Sequence, residues 1–133
     1  ILGVILAPVL DTTYYGKKDE GAYKIEKGEK SAINVNQNNN GLTAVKSRSH
    51  SSDDEENVLS QYNIEDTISI GSSLKFCMVA EGKADIYYRH GPTWEWDTAA
   101  GQAIVEAAGG KVEGLAYNKE VIKNSSFLVK GFS

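Results

Sequence analysis

Cysteine and histidine are scarce in this chain of 133 residues, which contains one Cys and two His. The single Cys77 excludes an intrachain disulfide framework and a cysteine-rich zinc site, and it fits a reducing compartment such as the cytoplasm. His50 and His90 are too few and wrongly spaced for a zinc site of the H-E-x-x-H type. Because Cys77 lies in an apolar helical pattern, we interpret it as a small core residue.

Excess basic charge and long apolar runs are also missing. The formal net charge is −4, so a general electrostatic grip on a nucleic acid polymer or on anionic lipid is not expected, although a local basic pocket stays open. No apolar run reaches the roughly 20 residues of a membrane helix. The opening ILGVILAPVL lacks the basic residues and the cleavage motif of a signal peptide. Since it starts inside an apolar run without an initiator Met, we expect a fragment or a processed product.

The familiar nucleophile and phosphate-loop motifs do not occur. There is no G-x-S-x-G elbow, and no evident base would activate Cys77. The P-loop spacing G-x-x-x-x-G-K-[ST] is missing as well. The sequence therefore does not predict covalent catalysis by Ser or Cys, or an NTPase of the P-loop class.

A continuous apolar run predicts a buried strand over residues 1–7, and alternating apolar and polar residues predict hairpin-like strands up to residue 35. Further strands are predicted near residues 43–49, 66–71, 84–89, 111–114 and 125–131. Helical spacing indicates helices over residues 53–63 and 72–83, and a third that follows Asp97 and ends at Gly109 and Gly110. Because strands and helices alternate in the second half, we predict an α/β layered sandwich, a mixed sheet flanked by helices, with no linker that divides the chain.

Four consecutive acids, residues 53–56, open the first predicted helix. Their charge complements the positive end of the helix dipole. Adjacent acids on a helix point in different directions, so we interpret the run as a solvated helix start rather than as a metal cluster.

The stretch WEWDTAAGQAIVEAAGG, residues 94–110, places a lone acid before an alanine-rich helix. Asp97 is either the helix cap, which accepts a backbone N–H, or a ligand of a divalent cation beside a helix N-terminus. The local spacing alone favours the cap. The small residues that follow would let another backbone approach this helix closely.

Three further segments carry groups that could hold a ligand. GSSLK, residues 71–75, brings Ser72 and Lys75 to a strand-to-helix turn, which is either an ordinary helix start or a phosphate contact. His50 ends SRSH and is either an exposed loop residue or a ligand contact. Arg89 ends ADIYYR and is either a surface charge or a bidentate partner of a phosphate.

Taken in order, SRSH, GSSLKFCMVAEGKADIYYR and WDTAAGQAIVEAAGG resemble the C-terminal half of the inositol-monophosphatase superfamily of metal-dependent phosphatases. Within it, the resemblance is best to the 3'(2'),5'-bisphosphate nucleotidases of the bacterial CysQ type. The likeness runs over essentially the whole chain and is most specific between residues 47 and 110. It implies that residues 1–133 are the C-terminal portion of an inositol-monophosphatase-like domain with the sugar-phosphatase fold.

The resemblance also implies roles for individual residues. It makes Asp97 a metal ligand, and His50, Ser72, Lys75 and Arg89 contacts of the nucleotide. Inositol phosphatases typically have an acid in place of Arg89 and usually lack Lys75. The resemblance therefore implies that these two cations favour a doubly phosphorylated nucleotide. The implied reaction is Mg²⁺-dependent hydrolysis of 3'-phosphoadenosine 5'-phosphate to AMP and phosphate.

One departure from the family pattern limits this reading. The glutamate motif and the Asp-Pro-x-Asp-Gly-Thr motif that supply the remaining metal ligands and catalytic groups do not occur. One carboxylate cannot hold two Mg²⁺ ions. We therefore expect an incomplete magnesium site, no appreciable activity of this chain alone, and a missing N-terminal half of the same protein as its partner.

Overall fold

A computed structural model describes residues 1–37, 40–48 and 52–133. Its first sheet has four antiparallel strands in the order β1-β2-β3-β4. These strands span Leu2–Ala7, Thr12–Lys17, Gly21–Glu26 and Glu29–Ile33. The predicted hairpin-like region is thereby confirmed, and it extends into a continuous meander.

The second sheet has five strands in the order β6-β5-β7-β11-β9, and it is mixed. β5 pairs in parallel with β6 and β7, whereas β11 pairs antiparallel with β7 and β9. In chain order, the strands are β5 at Leu42–Lys46, β6 at Ile64–Ser69, β7 at Ile86–Arg89, β9 at Lys111–Glu113 and β11 at Phe127–Lys130. A small pair of two-residue strands, β8 at Thr93–Trp94 and β10 at Lys123–Asn124, was not predicted.

Three helices complete the fold: α1 at Asp53–Leu59, α2 at Leu74–Ala80 and α3 at Glu95–Ala107. One core cluster joins the first sheet, α2, α3 and one face of the second sheet, so α2 and α3 lie between the two sheets. A second cluster places Leu59 of α1 with Ala44 and Ile86 on the opposite face of the second sheet. The predicted α/β layered sandwich is therefore confirmed, with sheet, helices, sheet and helix in succession.

Small residues bring α3 unusually close to the first sheet. A Cβ atom on Gly3 would lie 2.4 Å from the carbonyl oxygen of Ala100, and one on Gly16 would lie 2.9 Å from Cβ of Ala107. Any side chain at Gly3 would force the strand away from the helix. The prediction that the alanine row allows close backbone approach is confirmed.

The prediction that the first strand is buried is wrong for one of its faces. Ile5 and Ala7 contact the core, but Leu2, Val4 and Leu6 are exposed. β1 is also an edge strand, because it pairs only with β2. The sequence of β1 is apolar on both faces, as in a strand covered on both sides, so the structure leaves one apolar face uncovered. Within the described part of the chain, no helix has the length and apolar character to cross a membrane.

Candidate anion-binding cleft

An open cleft of about 920 Å³ lies where the parallel strands β5, β6 and β7 end. Residues that directly follow β5 and β6 line it, together with the last residue of β7 and the first turn of α3. Ligands of open α/β sheets characteristically bind at the carboxyl ends of the strands. The cleft brings together four of the five predicted site residues, which are Ser72, Lys75, Arg89 and Asp97.

Lys75 is buried, with only 2% of its surface exposed. Its Nζ donates to the carbonyl oxygen of Ser72 at 3.4 Å and lies 5.5 Å from the ring centroid of Tyr87. Burial and then the charge of Arg89 lower the pKa of Lys75, while the carboxylate of Glu55 opposes this change. No described carboxylate forms an ion pair with Lys75. Because a buried charge without a partner is costly, this ammonium is suited to an anionic ligand.

Arg89 ends β7 on the side of the sheet that faces the cleft. The alternation along the strand puts Tyr87 and Arg89 on this side, whereas Ile86 and Tyr88 pack in the second core cluster. The guanidinium has no ion-pair partner among the described residues, and its Nε atom is buried without a hydrogen bond. A guanidinium can bind a phosphate through two parallel hydrogen bonds. The surroundings of Arg89 therefore favour its interpretation as a bidentate partner of a phosphate over that as a surface charge.

Ser72 and Arg48 stand at the rim of the cleft. Ser72 has a positive φ of 53°, a left-handed backbone conformation that is uncommon outside glycine. This conformation turns the chain between β6 and α2 and presents the carbonyl oxygen that accepts the bonds of Lys75. Arg48 was not predicted as a site residue, although it belongs to the same SRSH motif as the predicted site residue His50. His50 itself lies outside the described residues.

Asp97 is the third residue of α3, so the prediction that the helix follows it is wrong. Its Oδ2 accepts a hydrogen bond of 2.9 Å from the backbone N–H of Trp94. This bond, from the N–H of the residue before the helix to the side chain at the third helical position, is one of the two bonds of a capping box. The second bond would need an acceptor oxygen on the side chain of Trp94, and its indole has none. The carboxylate remains exposed in the cleft. The prediction that Asp97 caps the helix by accepting an N–H that follows it is therefore wrong: the residue before the helix is Trp94, and Asp97 accepts the N–H of that residue.

The acidic run that opens α1 differs from the predicted solvated helix start at one position. Asp53, Asp54 and Glu56 are exposed, but Glu55 is only 5% exposed. Burial raises the pKa of Glu55, and the charges of Lys46, Arg89 and Lys75 act against this rise. The helix turns Glu55 inward while its neighbours face water. The charge of the four acids is the same, so charge alone does not predict which of them is buried.

The described lining of the cleft carries three cations, Arg48, Lys75 and Arg89, and one acid, Asp97. This basic surface contrasts with the net charge of −4 for the whole chain. The described residues contain no group of three or more His, Cys, Asp or Glu side chains that could hold a metal ion. A single carboxylate does not satisfy the oxygen coordination that Mg²⁺ requires. The cleft is therefore a candidate anion site, and its described residues do not form a complete metal site.

The sequence and the fold of the chain resemble those of known proteins. The profile of the inositol monophosphatase family matches residues 1–131, and the chain belongs to this family. Among solved structures, CysQ from Bacteroides thetaiotaomicron, described as a bacterial member of the family, is similar with a TM-score of 0.87 and 35% identity. That similarity covers 100% of this chain and 58% of the other. The predicted family and fold are confirmed.

Sequence relatives carry a more specific name. The 3'(2'),5'-bisphosphate nucleotidase CysQ of Salmonella typhimurium is 45% identical over 133 residues, and that of Buchnera aphidicola is 47% identical over 136 residues. Each alignment covers 99% of this chain but only 53% and 51% of the relative. The chain thus spans about half the length of the curated relatives it matches.

Proposed function

We propose that this chain is the nucleotide-recognition portion of a 3'(2'),5'-bisphosphate nucleotidase, whose substrate is 3'-phosphoadenosine 5'-phosphate. The observation that carries the proposal is the pair of cations in the cleft, Lys75 and Arg89, neither of which has an ion-pair partner among the described residues. A phosphate would supply the missing negative charge. The names of the relatives give the substrate class.

The number of cations favours a bisphosphate over a monophosphate. The buried ammonium of Lys75 and the half-buried guanidinium of Arg89 offer two separate sets of donors, and Arg48 adds a third charge at the rim. Ser72 adds a hydroxyl beside them. A second phosphate would be poorly compensated by one cation, because each phosphate group brings its own negative charge and its own oxygens.

Asp97 is proposed as one ligand of a magnesium site that this chain does not complete. The other ligands would come from the part of the relatives that the chain does not cover. The uncovered apolar face of β1, formed by Leu2, Val4 and Leu6, supports such a partner, since exposed apolar patches mark interaction surfaces. The chain alone is proposed to bind nucleotide without hydrolysing it.

Fluorescence offers a direct test, because the only two tryptophans, Trp94 and Trp96, both line the cleft. Their rings are stacked, with centroids 5.4 Å apart and planes at 9°. Titration of the chain with adenosine 3',5'-bisphosphate should quench their emission, and AMP and inositol 1-phosphate should bind more weakly. Arg89→Glu should abolish the response, while Lys111→Met, at an exposed position of β9, serves as the matched control.

Two alternative functions predict different outcomes of this titration. An inositol or sugar-phosphate phosphatase would bind inositol 1-phosphate at least as tightly as the nucleotide. A non-catalytic nucleotide-binding module would bind the nucleotide tightly with or without Mg²⁺, and it would stay inactive when the missing half is supplied as a separate chain. Robust Mg²⁺-dependent phosphate release by the 133-residue chain alone would contradict the proposal that its metal site is incomplete.

A further inference from the structure

Glu55 is a buried carboxylate that neither the cleft nor the core explains. It is 5% exposed, and its Oε1 atom has no hydrogen-bond partner among the described residues. It does not line the cleft. An unsatisfied buried carboxylate oxygen costs free energy, so a natural chain that retains one has some use for it.

The neighbours of Glu55 fix where its side chain lies. Oδ2 of Asp54 lies 3.0 Å from Nδ1 of His90, just beyond β7, and Oε1 of Glu56 lies 3.1 Å from Nζ of Lys46 at the end of β5. The hydroxyl of Ser52 caps the same turn by accepting the backbone N–H of Glu55 at 3.1 Å. The first turn of α1 is therefore held across the ends of two cleft-forming strands, and Glu55 points inward between these contacts.

Arg89, at the end of one of those strands, has the complementary deficiency. Within residues 1–37, 40–48 and 52–133, its Nε–H is a buried donor without an acceptor, and Oε1 of Glu55 is a buried acceptor without a donor. The charges of Arg89 and Lys75 both oppose the rise that burial imposes on the pKa of Glu55. The carboxylate thus lies within electrostatic reach of both cations, although it does not line the cleft.

We propose that Glu55 is a positioning residue for Arg89: because the two atoms form no direct hydrogen bond, the carboxylate holds the Nε–H of the guanidinium through one bridging water and leaves the two terminal amino groups free to bind a phosphate. The inference rests on the proposed function for the identity of the ligand. The pairing itself does not depend on any ligand.

The pairing can be tested in the free chain, because Arg48 and Arg89 are its only arginines. Their Nε–H signals in a ¹⁵N-labelled sample are assigned with Arg89→Lys. We expect the Nε–H of Arg89 to exchange with water at least about tenfold faster in Glu55→Gln than in the wild type, because the water-mediated contact with the carboxylate is lost. Asp53→Asn, an exposed acid in the same turn, is the control and should leave the exchange unchanged.

The positioning role is tested by affinity for adenosine 3',5'-bisphosphate, measured by calorimetry. Glu55→Gln should bind about tenfold more weakly, equivalent to about 1.4 kcal/mol, and Glu55→Asp should lie between Gln and the wild type. Urea midpoints of all variants are measured so that a loss of folding is recognised, and Glu55→Asp retains the charge if Glu55→Gln proves unstable.

The possible failures are distinguishable. If the wild type binds no nucleotide, the proposed function fails, while the exchange of the Arg89 Nε–H still decides whether Glu55 pairs with it. Equal exchange rates in the wild type and Glu55→Gln overturn the pairing. Unequal rates with unchanged affinity overturn the positioning role.

Discussion

Replacing Lys75 with Met should raise the free energy of unfolding and weaken nucleotide binding. The buried charge is costly in the folded state, while its proposed role is to bind a phosphate. Met has a similar length and no charge, and it would occupy a site that is 2% exposed. The change removes a buried ammonium that has no carboxylate partner in the part of the chain that the structure describes. Apolar replacement of buried charges is often stabilising by about 1–4 kcal/mol. With an m-value of about 2 kcal/mol/M, the urea midpoint should rise by about 0.5–2 M.

The pH dependence of this gain follows from the lowered pKa of Lys75. Between the lowered pKa and the ordinary lysine pKa, the unfolded chain binds more protons than the folded chain, so wild-type stability rises with pH across that interval. The advantage of Lys75→Met is therefore complete below the lowered pKa and fades above it. Nucleotide affinity should fall about 10- to 100-fold, the usual value of a charged hydrogen bond. A destabilised variant, or one that binds as the wild type does, would refute the reasoning.

Three further predictions concern helix packing, the thiol and the lone acid of the cleft. Gly101→Ala would place a Cβ atom 2.4 Å from Cγ of Phe76, so we expect a loss of about 1–3 kcal/mol by urea unfolding; an unchanged midpoint would contradict the close packing. Burial raises the pKa of Cys77 to about 12, so the folded chain should resist alkylation at pH 8 and react only when unfolded. Asp97→Asn should strengthen metal-free nucleotide binding at low salt by removing a repulsive charge, while Glu106→Gln, exposed and away from the cleft, should not.

Local patterns were sufficient for elements whose period is regular. Alternation along residues 12–33 specified the meander, and the apolar spacing from Leu74 to Val79 specified α2. The pairs in β8 and β10 could not be predicted, because two residues do not display a period. The start of α3 was placed too late because an acid at the third helical position and an acid before the helix give the same local signal.

The cleft was predicted as a set of residues but not as a surface. Ser72, Lys75, Arg89 and Asp97 belong to separate segments, and their meeting depends on the parallel pairing of distant strands, which no local period encodes. Glu55 could not be distinguished from its exposed neighbours, since its burial depends on where α1 packs. Tertiary contacts decide such cases, and they lie beyond propensity and spacing.

Three poorly partnered buried groups in the described part of the chain share one location, and that arrangement supports a functional rather than a structural explanation. A buried ammonium, a buried Nε–H and a buried carboxylate oxygen could each be replaced by apolar groups at lower cost to folding. They gather at the ends of β5 and β7, where Asp97 adds the one carboxylate that lines the described cleft. Local rules that elsewhere in the chain agree with the fold are broken here together, as is expected of a site that binds a charged ligand.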